Sequence, residues 1–290
     1  MFNKNQTKDK KNDSPGVAGK DPHAQIEEKV KERMSRIKRK ILVLSGKGGV
    51  GKSTVSVNLA AALASRGYRT GLLDTDLHGP SIPTLLGLTG SALTADNDGN
   101  IFPIQYGENL SVISIGFMLQ GGDEPVVWRG PLKYSAIRQF LGETLWKDLD
   151  YLVIDSPPGT GDEPLSVCQL IPGPRGAVIV TTPQDVALAD VRRSITFCVK
   201  LEMPIYGVVE NMSGMICPHC GKGIDVFKSG GGAAMASEMG VPFLGSIPLH
   251  PEVTRLGDEG KPFVYAENVD TAKKPFMEIT EAIINTEVHK

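Results

Sequence analysis

The sequence predicts an α/β fold, a mostly parallel twisted sheet with helices on both faces. Three observations carry that prediction. Short apolar runs alternate with stretches of helical period along most of the chain. The first strong run feeds a glycine-rich turn that opens onto a helix. Several runs end in a carboxylate or an amide, at the sheet edge where open α/β folds bind ligands.

The first run is Ile41 to Leu44, which predicts a buried strand; Val55 to Ser65 predicts the helix that follows. Between them, Gly46 through Gly51, Lys52 and Ser53 fit G-x-x-x-x-G-K-S/T, in the strand-turn-helix context that the motif requires. Glycines let successive backbone N–H groups turn inward onto phosphate oxygens, and the helix adds its positive N-terminal end. The nucleotide-binding candidates are therefore Gly46, Lys47, Gly48, Gly49, Val50, Gly51, Lys52, Ser53 and Thr54. Lys52 would reach the β- and γ-phosphates of ATP, and the Ser53 hydroxyl would ligate Mg²⁺. Lys47 is a second lysine in the loop, more charge than one triphosphate cradle needs. The loop resembles the deviant Walker A loop of the ParA, MinD and nitrogenase iron protein class. That resemblance implies that Lys47 reaches a partner subunit's nucleotide, in a homodimer with two nucleotides sandwiched between subunits.

Bulk composition narrows the class. At 40% hydrophobic and 22% charged residues, the 290-residue chain reads as an ordinary globular protein. Its net charge of −2 gives no reason to expect a nucleic-acid partner. The charge is uneven: residues 1–40 hold 12 Lys/Arg and 6 Asp/Glu, and the rest holds 19 and 27. We read residues 1–22 as a disordered basic tail, with residues 1–20 almost free of apolar side chains. Residues 23–39 read as a loosely packed leader helix, with Ile26, Val30, Met34 and Ile37 on one narrow face. Residues 40–290 read as one P-loop domain. No apolar run approaches the roughly 18 residues that span a bilayer. With no secretory signal at the N-terminus, a cytoplasmic location is expected. In such a reducing compartment the four cysteines are expected as thiols or metal ligands.

Further along, Thr70 to Asp74 predicts a second buried strand, with Asp74-Thr-Asp76 at its carboxyl end. Carboxylates beside a phosphate cradle can hold hydrated Mg²⁺ or orient an attacking water. His78 to Pro83 predicts a rigid turn into a short helix. Residues 88–109 read as an irregular loop with one strand at Ile101 to Gln105, and Leu110 to Ile115 as a strand. Trp128 is expected in the core, ahead of a helix over 132–147. Tyr151 to Asp155 predicts the next buried strand; an apolar run ending in Asp155 is the Walker B pattern, and the Pro/Gly loop after it suits a nucleotide switch. Cys168 and Cys198 lie on predicted helices and read as small core residues. Ile205 to Glu210 predicts a strand ending at Asn211, whose amide either reads a base or closes a turn. Then Cys217-Pro-His-Cys220 sits in a tight turn, within a loop inserted at about 211–228. Its spacing suits tetrahedral Zn²⁺ or an iron–sulfur cluster, with a redox pair as an alternative. Two thiolates do not close a four-ligand site, but a twofold axis would. Residues 231–239 predict a helix, Val241 to Ile247 a strand, and residues 270–286 a helix with Phe276, Ile279, Ile283 and Ile284 on one face. The polar face of that helix mixes Glu with Lys, which favours core packing over a membrane anchor.

Several motifs coincide: Gly46–Thr54, Asp74-Thr-Asp76 with Gly79-Pro-Ser81, Ile113-Ser-Ile-Gly-Phe117, Trp128-Arg-Gly-Pro131, Asp155-Ser-Pro-Pro-Gly-Thr-Gly-Asp162, Glu210-Asn-Met-Ser213 and Cys217-Pro-His-Cys220. Together they resemble the Mrp/ApbC family of iron–sulfur cluster carrier P-loop ATPases, over residues 24–285. The resemblance implies that Asp76 positions or activates the hydrolytic water and that Asp155 supports Mg²⁺. It implies that Asn211 holds adenine. Cys217 and Cys220 of two chains would bridge one [4Fe–4S] cluster at the dimer interface, with Zn²⁺ as a possible substitute. Lys47, Lys52, Asp76 and Asp155 are the expected catalytic set. The function implied is a homodimeric, slowly hydrolysing ATPase that passes a labile cluster from scaffold proteins to apo-proteins. The rival reading is a MinD/ParA-like positioning ATPase with structural zinc at the cysteines.

Overall fold

The computed structural model describes residues 22–76, 79–118, 130–217 and 220–287. Residues 1–21 of the tail expected over 1–22, His78, Trp128 with Arg129, and Pro218 with His219 lie outside the described residues.

Helix α1 (Pro22–Ser35) leads into strand β1 (Ile37–Ser45), then α2 (Lys52–Ser65), β2 (Thr70–Asp74) and α3 (Ile82–Leu85). Short strands β3 (Thr94–Ala95), β4 (Ile101–Phe102) and β5 (Ile104–Tyr106) precede β6 (Leu110–Ser114). The chain continues through α4 (Gly130–Glu143), β7 (Leu149–Asp155), α5 (Asp162–Leu170), β8 (Arg175–Thr181), α6 (Asp185–Lys200) and β9 (Ile205–Ile216). It closes with β10 (Gly223–Ile224), α7 (Gly231–Glu238), β11 (Phe243–Leu249), α8 (Pro251–Asp258) and α9 (Asp270–Asn285).

Among the described residues nine strands form one sheet in the order β10-β9-β8-β1-β7-β2-β6-β5, with β11 also on β9. The pairs along β9, β8, β1, β7, β2 and β6 are parallel, and β5 and β10 add antiparallel edges. Strand β1 is central because both its faces are apolar. Leu42 and Leu44 point into the layer that holds α1, α4, α5, α6 and α7, whereas Ile41 and Val43 point into the layer of α2, α3, α8 and α9. Burying each such side chain contributes about 1.5–3 kcal/mol.

The expected α/β class with helices on both faces is the observed one. Details differ for physical reasons. The leader helix, expected over 23–39, ends at Ser35, and β1 begins at Ile37 rather than at Ile41. Basic residues hid the start of that strand. Arg39 lies 5.9 Å over the Tyr151 ring and donates to the Ile284 carbonyl, and Lys40 is buried with its Nζ on the Ile37 carbonyl. Burial and the Arg175 charge lower the Lys40 pKa to about 8. Nor does α1 pack loosely: Val30 and Met34 are buried, and a Cβ at Gly142 of α4 would meet Ile26 Cδ1 at 2.9 Å. The one strand expected at 101–105 is divided into β4 and β5. Strand β9 does not stop at Glu210 but runs on to Ile216. The segment over 270–286 packs Phe276, Ile279 and Ile283 into the core, as expected. Among the described residues no helix is long and apolar enough to cross a membrane.

Candidate functional site

The phosphate loop joins the carboxyl end of β1 to α2. Gly49 and Gly51 both adopt φ +80°, the left-handed region that glycine enters without strain. Gly51 stands just before α2 and supplies no side-chain cap, so the first turn presents backbone amides to the loop's interior. Gly46 has a steric reason as well: a Cβ there would lie 2.4 Å from the Asp190 backbone on α6.

Strands β2 and β7 are parallel neighbours, and their register sets Asp74 beside Asp155. Asp155 is fully buried and both its carboxylate oxygens are engaged. Lys52 Nζ donates to Oδ1 at 2.8 Å, the Ser56 hydroxyl approaches the same oxygen at 2.8 Å, and the Ser53 hydroxyl donates to Oδ2 at 2.6 Å. Lys52 also lies 3.6 Å from Asp76 Oδ2. Thr75 donates its amide and hydroxyl to the Asp155 carbonyl, which locks the ends of β2 and β7 together. Asp74 receives the Ser114 hydroxyl at 2.8 Å and the Asp76 amide at 3.0 Å. Burial, then the charge of Asp155, raises the Asp74 pKa to about 8, against the opposing pull of Ser114, the Asp76 amide and Lys52. Three acidic side chains thus meet one lysine ammonium, and protonation of Asp74 relieves the excess charge.

The sequence-derived residues sort into three groups. Lys52, Ser53, Asp76 and Asp155 converge at one point. Lys47 is half-buried, and its carbonyl accepts the Ser45 hydroxyl at 3.0 Å. Asn211 sits beside the loop, where its Nδ2 donates to the Val50 carbonyl at 2.9 Å. It also lines a cavity of about 200 Å³ with Thr54, Ile247, Pro248 and Val253. Asp74, Ser56 and Ser114 were not singled out for roles of their own. Ser56 carries a legible signal: it follows Lys52 by one helical turn and so shares its face.

The cysteines lie elsewhere, at the tip of a hairpin. Strand β10 pairs back on Met215 and Ile216, and the Cys217 amide donates to the Lys222 carbonyl at 2.9 Å. Gly221, at φ +69°, returns its amide to the Cys217 carbonyl. Cys220 is exposed and Cys217 half-buried, and both are outside any disulfide. Ile216, Ile224 and Val226, nearby in the chain, are exposed apolar side chains. Among the described residues, no group of three or more His, Cys, Asp or Glu side chains gathers in metal-holding geometry. Cys168 and Cys198 are core residues, as expected, with thiols raised by burial to about 11 and about 12.

This fold and site define a nucleotide-binding P-loop protein with an appended cysteine hairpin. The family model described as ParA, NUBPL iron-transfer P-loop NTPase, matches residues 36–284. The chain is 49% identical over 261 residues to an iron-sulfur cluster carrier protein of Methanocaldococcus jannaschii, covering 90% of this chain and 89% of the relative. It is 46% identical over 256 residues to the cytosolic Fe-S cluster assembly factor NUBP2 of Rattus norvegicus, covering 87% and 94%. Among solved structures, a nucleotide-binding protein of Archaeoglobus fulgidus in complex with ADP superposes with a TM-score of 0.73 at 39% identity, over 83% of this chain and 94% of that one. The cell division ATPase MinD of Pyrococcus furiosus follows the same fold, with a TM-score of 0.64 at 25% identity over 85% and 98%. The chain belongs to the NUBPL iron-transfer P-loop NTPase family.

Proposed function

We propose that this protein is a homodimeric, ATP-binding and ATP-hydrolysing carrier of a labile [4Fe–4S] cluster, which it passes from scaffold proteins to apo-proteins in the cytoplasm. One observation carries the reading. Half-buried Cys217 and exposed Cys220 lie in the turn that follows β9, close in the chain to the exposed apolar side chains Ile216, Ile224 and Val226, and β9 itself touches the phosphate loop at Asn211. A second copy related by a twofold axis would supply two further thiolates and cover apolar surface. Zn²⁺ would fit the same four sulfurs.

The nucleotide site supports this reading through its donor set. In this proposal the loop amides and Lys52 take the phosphates, and Lys52 leaves Asp155 to do so. The Ser53 hydroxyl and Asp155 carboxylate are oxygen donors suited to hydrated Mg²⁺, which would neutralise charge on the transferred phosphoryl group. Asp76, at the edge of the same cluster, would orient the attacking water. Asn211 and the cavity behind it would hold adenine. Lys47 is not drawn into the chain's own carboxylate cluster, which suits contact with the partner's nucleotide.

Anaerobic reconstitution tests the proposal. The parent chain should take up about two iron and two sulfide per subunit, half a four-iron cluster, with the mass of a dimer. Cys217→Ala/Cys220→Ala should bind neither while still binding ATP, since the phosphate cradle is built from Gly46 to Thr54 and the carboxylates beside it. A double variant that holds as much iron and sulfide as the parent would remove the assignment.

A further inference from the structure

Strand β9 joins two places that the rest of the sheet keeps apart. At Asn211 it is tied to the phosphate loop, so closely that a Cβ on Gly51 would sit 2.2 Å from Asn211 Nδ2. A few residues later the same strand delivers Cys217. Between them the strand is irregular. Strand β11 sets Ile247 against Asn211 and Leu249 against Met215, so residues 212–214 stand opposite Pro248 alone. Met212 takes φ 57° and Gly214 φ 65°. Left-handed geometry is strained for a methionine, and such residues persist only where their surroundings hold them.

Here the holding group is Glu210. It is fully buried, and Oε1 accepts the Ser213 hydroxyl at 2.5 Å and the Gly230 amide at 2.9 Å. Oε2 accepts the Gly232 amide at the start of α7, where a Cβ would lie 2.9 Å from that oxygen. One carboxylate therefore pins the middle of the bulge to a helix, with no slack in the packing. Bulges of this kind re-aim a strand next to a functional site.

We propose that the bulge at Met212, Ser213 and Gly214 is the joint through which the phosphate loop sets the position of the Cys217/Cys220 turn. Glu210 and Ser213 are its positioning residues. The inference rests on the reading of this chain as a nucleotide-responsive carrier. Nucleotide that draws the loop's amides onto phosphate moves the Val50 carbonyl, and Asn211 moves with it. Because Ser213 is latched to α7, the strand pivots at Met212 instead of absorbing the shift, and the cysteine turn swings. Without the latch the bulge takes up the displacement and the turn stays where it was.

The test is iodoacetamide alkylation of Cys217 and Cys220 in the anaerobic, cluster-free full chain, followed by peptide mass spectrometry, with and without Mg-AMPPNP. Buried Cys168 and Cys198 serve as internal controls. In the parent, nucleotide should change the rate at Cys217 or Cys220 by about fivefold or more, the low end of ordinary coupling between sites. Ser213→Ala should bind AMPPNP as the parent does, with the same oligomeric mass, yet show a response below about twofold; Ser213→Thr, which keeps the hydroxyl, should restore it. Glu210→Gln should lose the response as Ser213→Ala does. The joint is overturned if Ser213→Ala keeps the full response, or if it loses nucleotide affinity along with the response. A parent that binds nucleotide and reconstitutes a cluster but shows no response also overturns the joint, and leaves the carrier reading intact. A parent that does neither overturns that reading and the joint with it.

Discussion

The phosphate end and the cysteine hairpin are built on opposite plans. At the phosphate end, Asp74, Asp155, Lys52 and Ser56 are all buried, and their polar atoms face one another across β2, β7 and α2. At the hairpin, two-residue β10 holds the return of the chain, and Cys220, Ile216, Ile224 and Val226 are exposed. The difference teaches which chemistry each can perform. A water-excluded network aims its groups in advance, which suits phosphoryl transfer. Two thiols in an exposed turn do not by themselves fill a four-ligand metal site, and under the proposed function a second copy would complete it and release its hold when the copies move apart.

That contrast can be broken in four places, taken from the largest effect to the smallest. Lys52→Ala removes a cation that faces three carboxylates where the proposed function puts the phosphates. ATP hydrolysis, followed by phosphate release, should fall by about 10³-fold, the usual loss when a principal charge-stabilising donor is removed. Hydrolysis at the parent's rate would show that the buried network is not the chemical site.

Asp155→Ala acts on stability. It leaves the buried Lys52 ammonium without its 2.8 Å carboxylate partner, with Asp76 3.6 Å away and the Asp74 carboxyl further off, and breaking a buried pair costs about 3–5 kcal/mol. Urea unfolding of the nucleotide-free protein should show a loss at the lower end of that range. A loss under about 1 kcal/mol, the range of surface pairs, would mean that the network is hydrated after all.

Asp74 sharpens the comparison through pH. Its pKa is about 8 in the folded chain, above that of an exposed carboxylate. Between those values the native state holds a proton that the unfolded chain has released, so this residue's contribution to stability falls as pH rises towards 8. Asp74→Asn removes the dependence. The variant's stability relative to the parent should therefore improve from pH 5 to pH 8, by about 1 kcal/mol or more. No change with pH would mean that Asp74 is already ionised at pH 5. On the hairpin, by contrast, Ile224→Ser should change unfolding stability by less than about 0.5 kcal/mol, because the side chain is 45% exposed. A larger loss would make the hairpin part of the core.

The legible parts of the site were those made by local pattern. Gly46 to Ser53 and Asp155 announce themselves through spacing and through the apolar run before them. Less legible was the pairing of Asp74 with Asp155. Both carboxylates of Asp74-Thr-Asp76 were visible, but register alone turns one inward to Ser114 and leaves the other near Lys52. The true start of β1 was hidden because Lys38, Arg39 and Lys40 look like solvent residues, whereas Arg39 lies along Tyr151 and Lys40 is buried. The length of β9 was hidden because Asn211, Ser213 and Gly214 read as a turn. The strand continues past them because β11 pairs at Asn211 and again at Met215, and Glu210 holds Ser213 between.

The sequence by itself determined the α/β class, the phosphate loop and the cysteine turn, since each depends on residues a few positions apart. Tertiary structure alone decided that Asp74 turns to Ser114, that Asn211 touches Val50, and that one strand runs from the phosphate loop to the start of the cysteine turn. Those contacts join residues far apart in the chain, and long-range register and packing set them, which no local pattern encodes.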